Sequence, residues 1–230
     1  MELADGAGLD ALTMRALGDS LGVEAMSLYN HVANKETLLQ SIADLVVGEI
    51  DLPRPGEKWE PAVRRCALSA HEAFMRHPWA CGLVMAPIGG AAVSPVVEGR
   101  LAYIEALLRC FREGGFSPEL SYHAYHSIDS HVLGFTLWEL GHSMPVPLAD
   151  DVIQQYMSLL TPGTFPYLAE HAAQHLGGLG DGVEQNEFEF GLDLVIEGLK
   201  RRLRRERTAQ RNDKPAGTDD GISQRRLRPA

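Results

Sequence analysis

Two clusters of side chains have the residue types and spacing for chemistry. His123, His126, Asp129 and His131 fall close together in one segment, and imidazole and carboxylate are ordinary ligands for zinc. On a helix the i, i+3 pair His123 and His126 can share an ion, but four ligands on successive faces cannot converge, so these read as structural or cavity residues and no metal is expected. The second cluster is Ser27, Tyr29, Asn30 and His31, followed by Lys35. Short polar and aromatic side chains beside an ammonium group suit base edges and phosphate oxygens. Arg15 is the only other cation in the first fifty residues.

Other chemistries lack their parts. Cys66, Cys81 and Cys110 form neither a CxxC pair nor a zinc knuckle and read as reduced thiols of a cytoplasmic protein. His71-Glu72 lacks the second histidine of a zinc protease, and neither GxSxG nor the phosphate-loop pattern occurs. GGLGDG (Gly177 to Gly182) follows no strand and reads as a loop. No enzymatic activity and no cofactor are expected.

The elements that must position the second cluster are helical. Apolar spacing is helical nearly everywhere and no stretch alternates with period two, so the fold class is all-α. Thr13 can cap a short helix burying Met14, Leu17 and Leu21, and Gly22 ends it in a tight turn. A second short helix, about Glu24 to His31, presents Leu28 and Val32 inward. Asn34 caps a third, with Leu38, Ile42, Leu45 and Val46 inward. Two short helices joined by a glycine turn constitute a helix-turn-helix, with the second as recognition helix.

DLPRPG (Asp51 to Gly56) closes this front module, so residues 1–50 and 51–207 are read as separate domains. In the rear, helices are predicted near 58–77, 94–114, 118–142, 150–160, 164–176 and 183–206. The last carries Phe188, Leu192, Val195, Leu199 and Leu203 along one face. Residues 208–230 hold few large apolar side chains and are expected to form a disordered tail.

The 230 residues include 45% hydrophobic and 23% charged types, ordinary for a globular chain. The net charge of -10 is unevenly placed. Residues 1–50 hold two basic and eight acidic groups; 51–199 hold eight and nineteen; 200–230 hold eleven and four. The block KRRLRRER (Lys200 to Arg207) can contact phosphate or complement a helix C-terminus. The acidic start does not suit a secretory signal. The longest uncharged stretch, His77 to Val97, is broken by prolines and glycines and reads as a soluble loop or pocket wall, so no membrane association is expected.

LDALTMRALGDSLGVEAMSLYNHVANKETLL (Leu9 to Leu39) resembles the DNA-binding region of the TetR family of bacterial transcriptional repressors, above all in LGV, Leu28-Tyr29, His31, and Lys35 followed by Leu38-Leu39. The resemblance places DNA contacts on Thr13, Arg15, Ala25, Ser27, Tyr29, Asn30, His31 and Lys35. Gly18 stands where the family commonly has alanine, at a helix-propensity cost of up to about 1 kcal/mol. Family members have a complete helix before the glycine turn, whereas MELADGA alone precedes Gly8; the expectation is that this chain starts inside helix 1.

The rear half is similar to the tetracycline-repressor subgroup through GEKW (Gly56 to Trp59), GGFSPE (Gly114 to Glu119) and HVLG (His131 to Gly134). Carried over, the inducer cavity draws on Cys66, Ala70, Ile104, Leu107, Leu108, Tyr122, Tyr125, His126 and Asp129, with Trp138 reaching in from a second subunit. The subgroup's magnesium-holding histidine has no counterpart in GLVMAPIG (Gly82 to Gly89), which disfavours a magnesium chelate and favours an apolar or aromatic small-molecule effector. The resemblance implies a homodimer that binds operator DNA and is released by its effector. The alternative is a helical ligand-binding dimer that has lost DNA binding; a metal-dependent enzyme using the histidine cluster ranks below both.

Overall fold

The computed structural model describes residues 1–85, 98–143, 158, 163–176 and 186–212. All secondary structure among them is helical, and no strand occurs.

Thr13 opens α2 (Met14–Leu21) as the sequence predicts: its backbone is extended and its Oγ1 accepts from the Ala16 N–H at 3.1 Å. Gly22 ends the helix at φ 67°, a left-handed conformation that L side chains resist. α3 (Ala25–Leu28) is shorter than predicted. Beyond Leu28 the chain tightens into turns, with the Asn30 N–H donating to Ser27 and the His31 N–H to Leu28. Asn34 caps α4 (Lys35–Val47), its Oδ1 accepting from the Thr37 N–H at 2.7 Å.

Two residues expected inward are exposed, Leu21 and Leu45. α2 packs chiefly on α3, which leaves its last turn open. α4 lies against three body helices introduced below, and they cover Ala43, Asp44, Val46 and Val47 instead of the face bearing Leu45.

α1 (Glu2–Ala11) is broken at Gly8 (φ 76°, ψ 170°). Its first turns bury Ala4, and the Asp5 carboxylate accepts from Trp79 Nε1 at 2.6 Å and His77 Nδ1 at 2.7 Å. Partial burial pushes the Asp5 carboxyl up, but these two donors and the His77 charge outweigh it and hold the group below its ordinary range.

The body consists of α5 (Trp59–Arg76), α6 (Pro78–Met85), α7 (Glu98–Glu113), α8 (Pro118–Ser143), α9 (Pro166–Leu176) and α10 (Glu187–Asn212). α6 lies in the stretch read as a loop: Pro78 occupies a first helical position, where its missing N–H costs nothing. Of the helix expected near 150–160 only Ser158 lies among the described residues. α10 runs to Asn212, into the stretch expected to be disordered, and residues 213–230 lie outside the description.

α5 is the central strut. Ala62, Val63, Cys66, Ala70 and Phe74 pack against Leu107 and Phe111 of α7, Ile128 and Val132 of α8, and Phe188 and Leu192 of α10. Val195 is only partly buried, and Ile196 completes the α10 stripe. Two of the three family-like strings of the rear meet here, Trp59 standing edge-on to Phe116 at 5.0 Å. The three cysteines are free and buried; burial raises the Cys66 thiol to about 12 and the other two to about 11, so none is a ready nucleophile. His71 sits in the same core. The Thr136 hydroxyl donates to the Val132 carbonyl at 2.6 Å and faces His71 Nδ1 at 2.8 Å, and the imidazole stacks on Phe188 at 4.1 Å.

Two expectations follow. A Cβ at Gly18 would stand 2.8 Å from the Val23 carbonyl oxygen and 3.2 Å from the Ala25 nitrogen, so this glycine permits backbone-to-backbone packing of α2 on α3. Gly18→Ala is expected to destabilise the front module by about 1–3 kcal/mol despite better helix propensity, read by urea denaturation; a gain in stability would contradict it. Burial lowers the His71 pKa, against the opposing pull of Glu139 and Glu72. The folded state therefore favours neutral imidazole. The resulting stability is complete above the unfolded value near 6.5 and is lost as pH falls through the lower folded value. Denaturation between pH 7.5 and 5 is expected to show this slope in wild type and a flatter one in His71→Gln.

Candidate nucleic-acid interface and ligand cavity

The front module displays one polar face. Arg15, Tyr29, Asn30 and His31 are exposed around α2 and α3. The other expected contacts already have local work: Thr13 caps α2, Ser27 Oγ donates to the Glu24 carbonyl at 2.7 Å, and Ala25 begins α3 half-buried. Lys35 Nζ donates to the Leu9 carbonyl at 3.1 Å, tying α4 to the end of α1. The sequence reading missed Met26, which is 75% exposed. Its signal was available: Leu28 points inward, and a residue two positions earlier on a helix faces nearly the opposite way.

In the body, α4, α5, α6, α7 and α8 enclose a cavity of about 610 Å³. Of the residues expected there, Ile104, Tyr125, His126 and Asp129 line it. Cys66, Ala70 and Leu107 are buried in the core behind it, and Leu108 is half-buried outside it. Tyr122 and Trp138 are exposed, Tyr122 packing edge-on to His126 at 4.4 Å. The wall is completed by residues that sequence reasoning assigned to other roles or to none, including Val47, Ile50, Phe74, Val84, Arg100, Tyr103 and Leu133. The histidine cluster disperses accordingly. His126 and Asp129 face the cavity, His131 Nε2 donates to the Phe188 carbonyl at 2.9 Å, and His123 lies along the α8–α10 groove. Among the described residues no group of three such ligands is placed to hold a metal ion.

Asp129 is the cavity's acid. Burial raises its carboxyl pKa, opposed by hydrogen bonds from the Tyr103 and Tyr125 hydroxyls and by the charges of His126 and Arg100. Both tyrosines are pushed up by burial and by Asp129, Tyr125 to about 12, so their hydroxyls stay protonated as donors.

A buried polar contact joins the two regions. Asp44 of α4 is buried, and its carboxylate oxygens accept from the backbone N–H groups of Gly99 and Arg100 at 2.9 Å each. These amides begin α7 and have no partner within their own helix, so the acid caps α7 from another element and meets its positive dipole end. Gly99 allows the approach, because a Cβ there would stand 2.7 Å from the Asp44 carbonyl oxygen. Arg100, the next residue, is itself part of the cavity wall, and its guanidinium donates to the Val84 carbonyl of α6.

The comparisons with known proteins agree with this architecture. Residues 1–42 match the bacterial regulatory proteins of the tetR family, and residues 52–203 match the tetracyclin repressor-like C-terminal domain. The chain belongs to the TetR family of transcriptional regulators. Tetracycline repressor protein class E of Escherichia coli is 34% identical over 142 residues, 60% of this chain and 64% of that one. Class D, also from Escherichia coli, is 29% identical over 212 residues, 88% of this chain and 86% of that one. The Streptomyces coelicolor TetR family protein ActR, solved in complex with (S)-DNPA, is similar at a TM-score of 0.66 and 27% identity, covering 87% of this chain and 92% of that one. No helix of the described residues is long and apolar enough to cross a membrane.

Asp44→Ala leaves two amides at the start of α7 without their acceptor. It is expected to cost about 1–3 kcal/mol and to speed hydrogen exchange at Gly99 and Arg100. Unchanged exchange at both amides would show that the cap contributes nothing.

Proposed function

We propose that this chain is a one-component repressor: a homodimer that holds operator DNA through α2 and α3 and releases it when a small apolar or aromatic molecule fills the cavity. The observation that carries the reading is the Asp44 cap, which links the helix following the DNA-reading turn to a helix of the cavity wall. Ligand shifts the balance only through its different affinity for two states, one with recognition helices spaced for successive major grooves and one without. The apolar lining by Val47, Ile50, Phe74, Val84, Ile104 and Leu133 supports an apolar or aromatic effector. ActR in complex with (S)-DNPA is a precedent for a ligand-bound relative.

The outer faces of α8 and α10 support pairing. Leu137, Trp138, Phe190 and Leu194 are exposed there, more apolar surface than a monomer commonly leaves on two adjacent helices. In such a dimer Trp138 reaches toward the second subunit. On the reading face, Arg15 and Lys35 meet phosphates, Thr13, Ala25, Ser27, Tyr29, Asn30 and His31 complete the contact, and Met26 meets a thymine methyl.

Fluorescence anisotropy with a duplex from the gene's own upstream region tests this. Binding is expected to weaken steeply between 50 and 200 mM salt, and Tyr29→Ala to weaken it about tenfold or more. A correctly folded dimer with no salt-sensitive binding there would favour the ligand-binding dimer without a DNA-reading function.

A further inference from the structure

We infer that the effector carries a protonated amine, which Asp129 holds inside the cavity against an aromatic wall; this rests on reading that cavity as the effector site. The carboxylate has two hydrogen-bond donors, the Tyr103 and Tyr125 hydroxyls, and both are neutral. They satisfy part of its hydrogen-bonding capacity but none of its charge. A buried charge without an opposite charge is costly, and a ligand that brings one recovers that cost on binding. A ligand hydroxyl would add only a third neutral donor.

The cavity's own cation does not fill this role. Arg100 donates its guanidinium to the Val84 carbonyl of α6, and although its charge and that of His126 lower the Asp129 pKa, they do not cancel the rise that burial causes, so the carboxylate stays short of positive charge. His126 also lines the cavity, packed edge-on against Tyr122 and Tyr125. Meanwhile Phe74, Tyr103 and Tyr125 bring three aromatic rings to the cavity lining, and the face of an aromatic ring attracts a cation. The net charge of -10 further favours entry of a cation over an anion. Asp129, the aromatic wall and the apolar remainder together describe an amphiphilic aromatic amine.

Three tricyclic probes of similar shape test the inference on the full chain by equilibrium dialysis: proflavine, cationic at neutral pH; acridone, neutral; and anthracene-9-carboxylate, anionic. Proflavine is expected to bind at least tenfold tighter than acridone, and the anion weakest. Asp129→Asn keeps the side-chain shape and an acceptor oxygen; it is expected to bring the proflavine-to-acridone ratio near unity by weakening proflavine. Acridone or the anion binding wild type as tightly as proflavine would overturn the amine and leave the cavity standing. A proflavine preference that survives Asp129→Asn would also overturn it. No binding by any of the three would count against the cavity as an effector site, and the amine would fall with it.

Discussion

Capping of α7 by Asp44 is the constraint on which the proposed coupling of the molecule depends. A helix N-terminus presents amides that need acceptors, and here the acceptor belongs to α4. Moving α4 relative to α7 therefore exposes buried polar groups on both sides. Two discrete arrangements are favoured over a continuum, which is what a switch needs. Val47 and Ile50, just beyond Asp44, line the cavity, so in the proposed switch one short segment serves as both wall and lever.

A second polar contact works beside it. Asp5 anchors the first turns of α1 to His77 and Trp79, and His77 Nε2 also lies 3.4 Å from Glu49 Oε1 at the end of α4. The front module is thus held to the body at two separated places, both through carboxylates on the front side. Its acidity is partly explained by this: some acids that would repel DNA are turned toward the body.

What the sequence made legible was local. Thr13, Gly22 and Asn34 act on amides or dihedrals within three residues, so their caps and turn were readable without tertiary information. The Asp44 cap was not, because its partners are backbone amides 55 and 56 residues away that carry no side-chain signature. Pro78 was read as a breaker because a proline marks either the end or the start of a helix, and only context separates the two. The cavity was half legible. Tyr125, His126 and Asp129 came with the resemblance to the tetracycline-repressor subgroup, whereas Phe74 and Leu133 carried no signal of their own, since packing against a void and packing against another side chain look the same in sequence. Cys66, Ala70 and Leu107 lie on neighbouring turns of the right helices but on the faces that meet each other.

The central claim is that Asp44 sets where the recognition helices sit. Because the three native thiols are buried, a spin label can be placed selectively at Asn30→Cys, and the distance between the two labels of a dimer measured with Asp44 present and with Asp44→Ala. The account predicts a narrow distribution, near the roughly 34 Å separation of successive major grooves, that broadens or shifts when the cap is removed. Coincident distributions, or no inter-label distance at all, would contradict it.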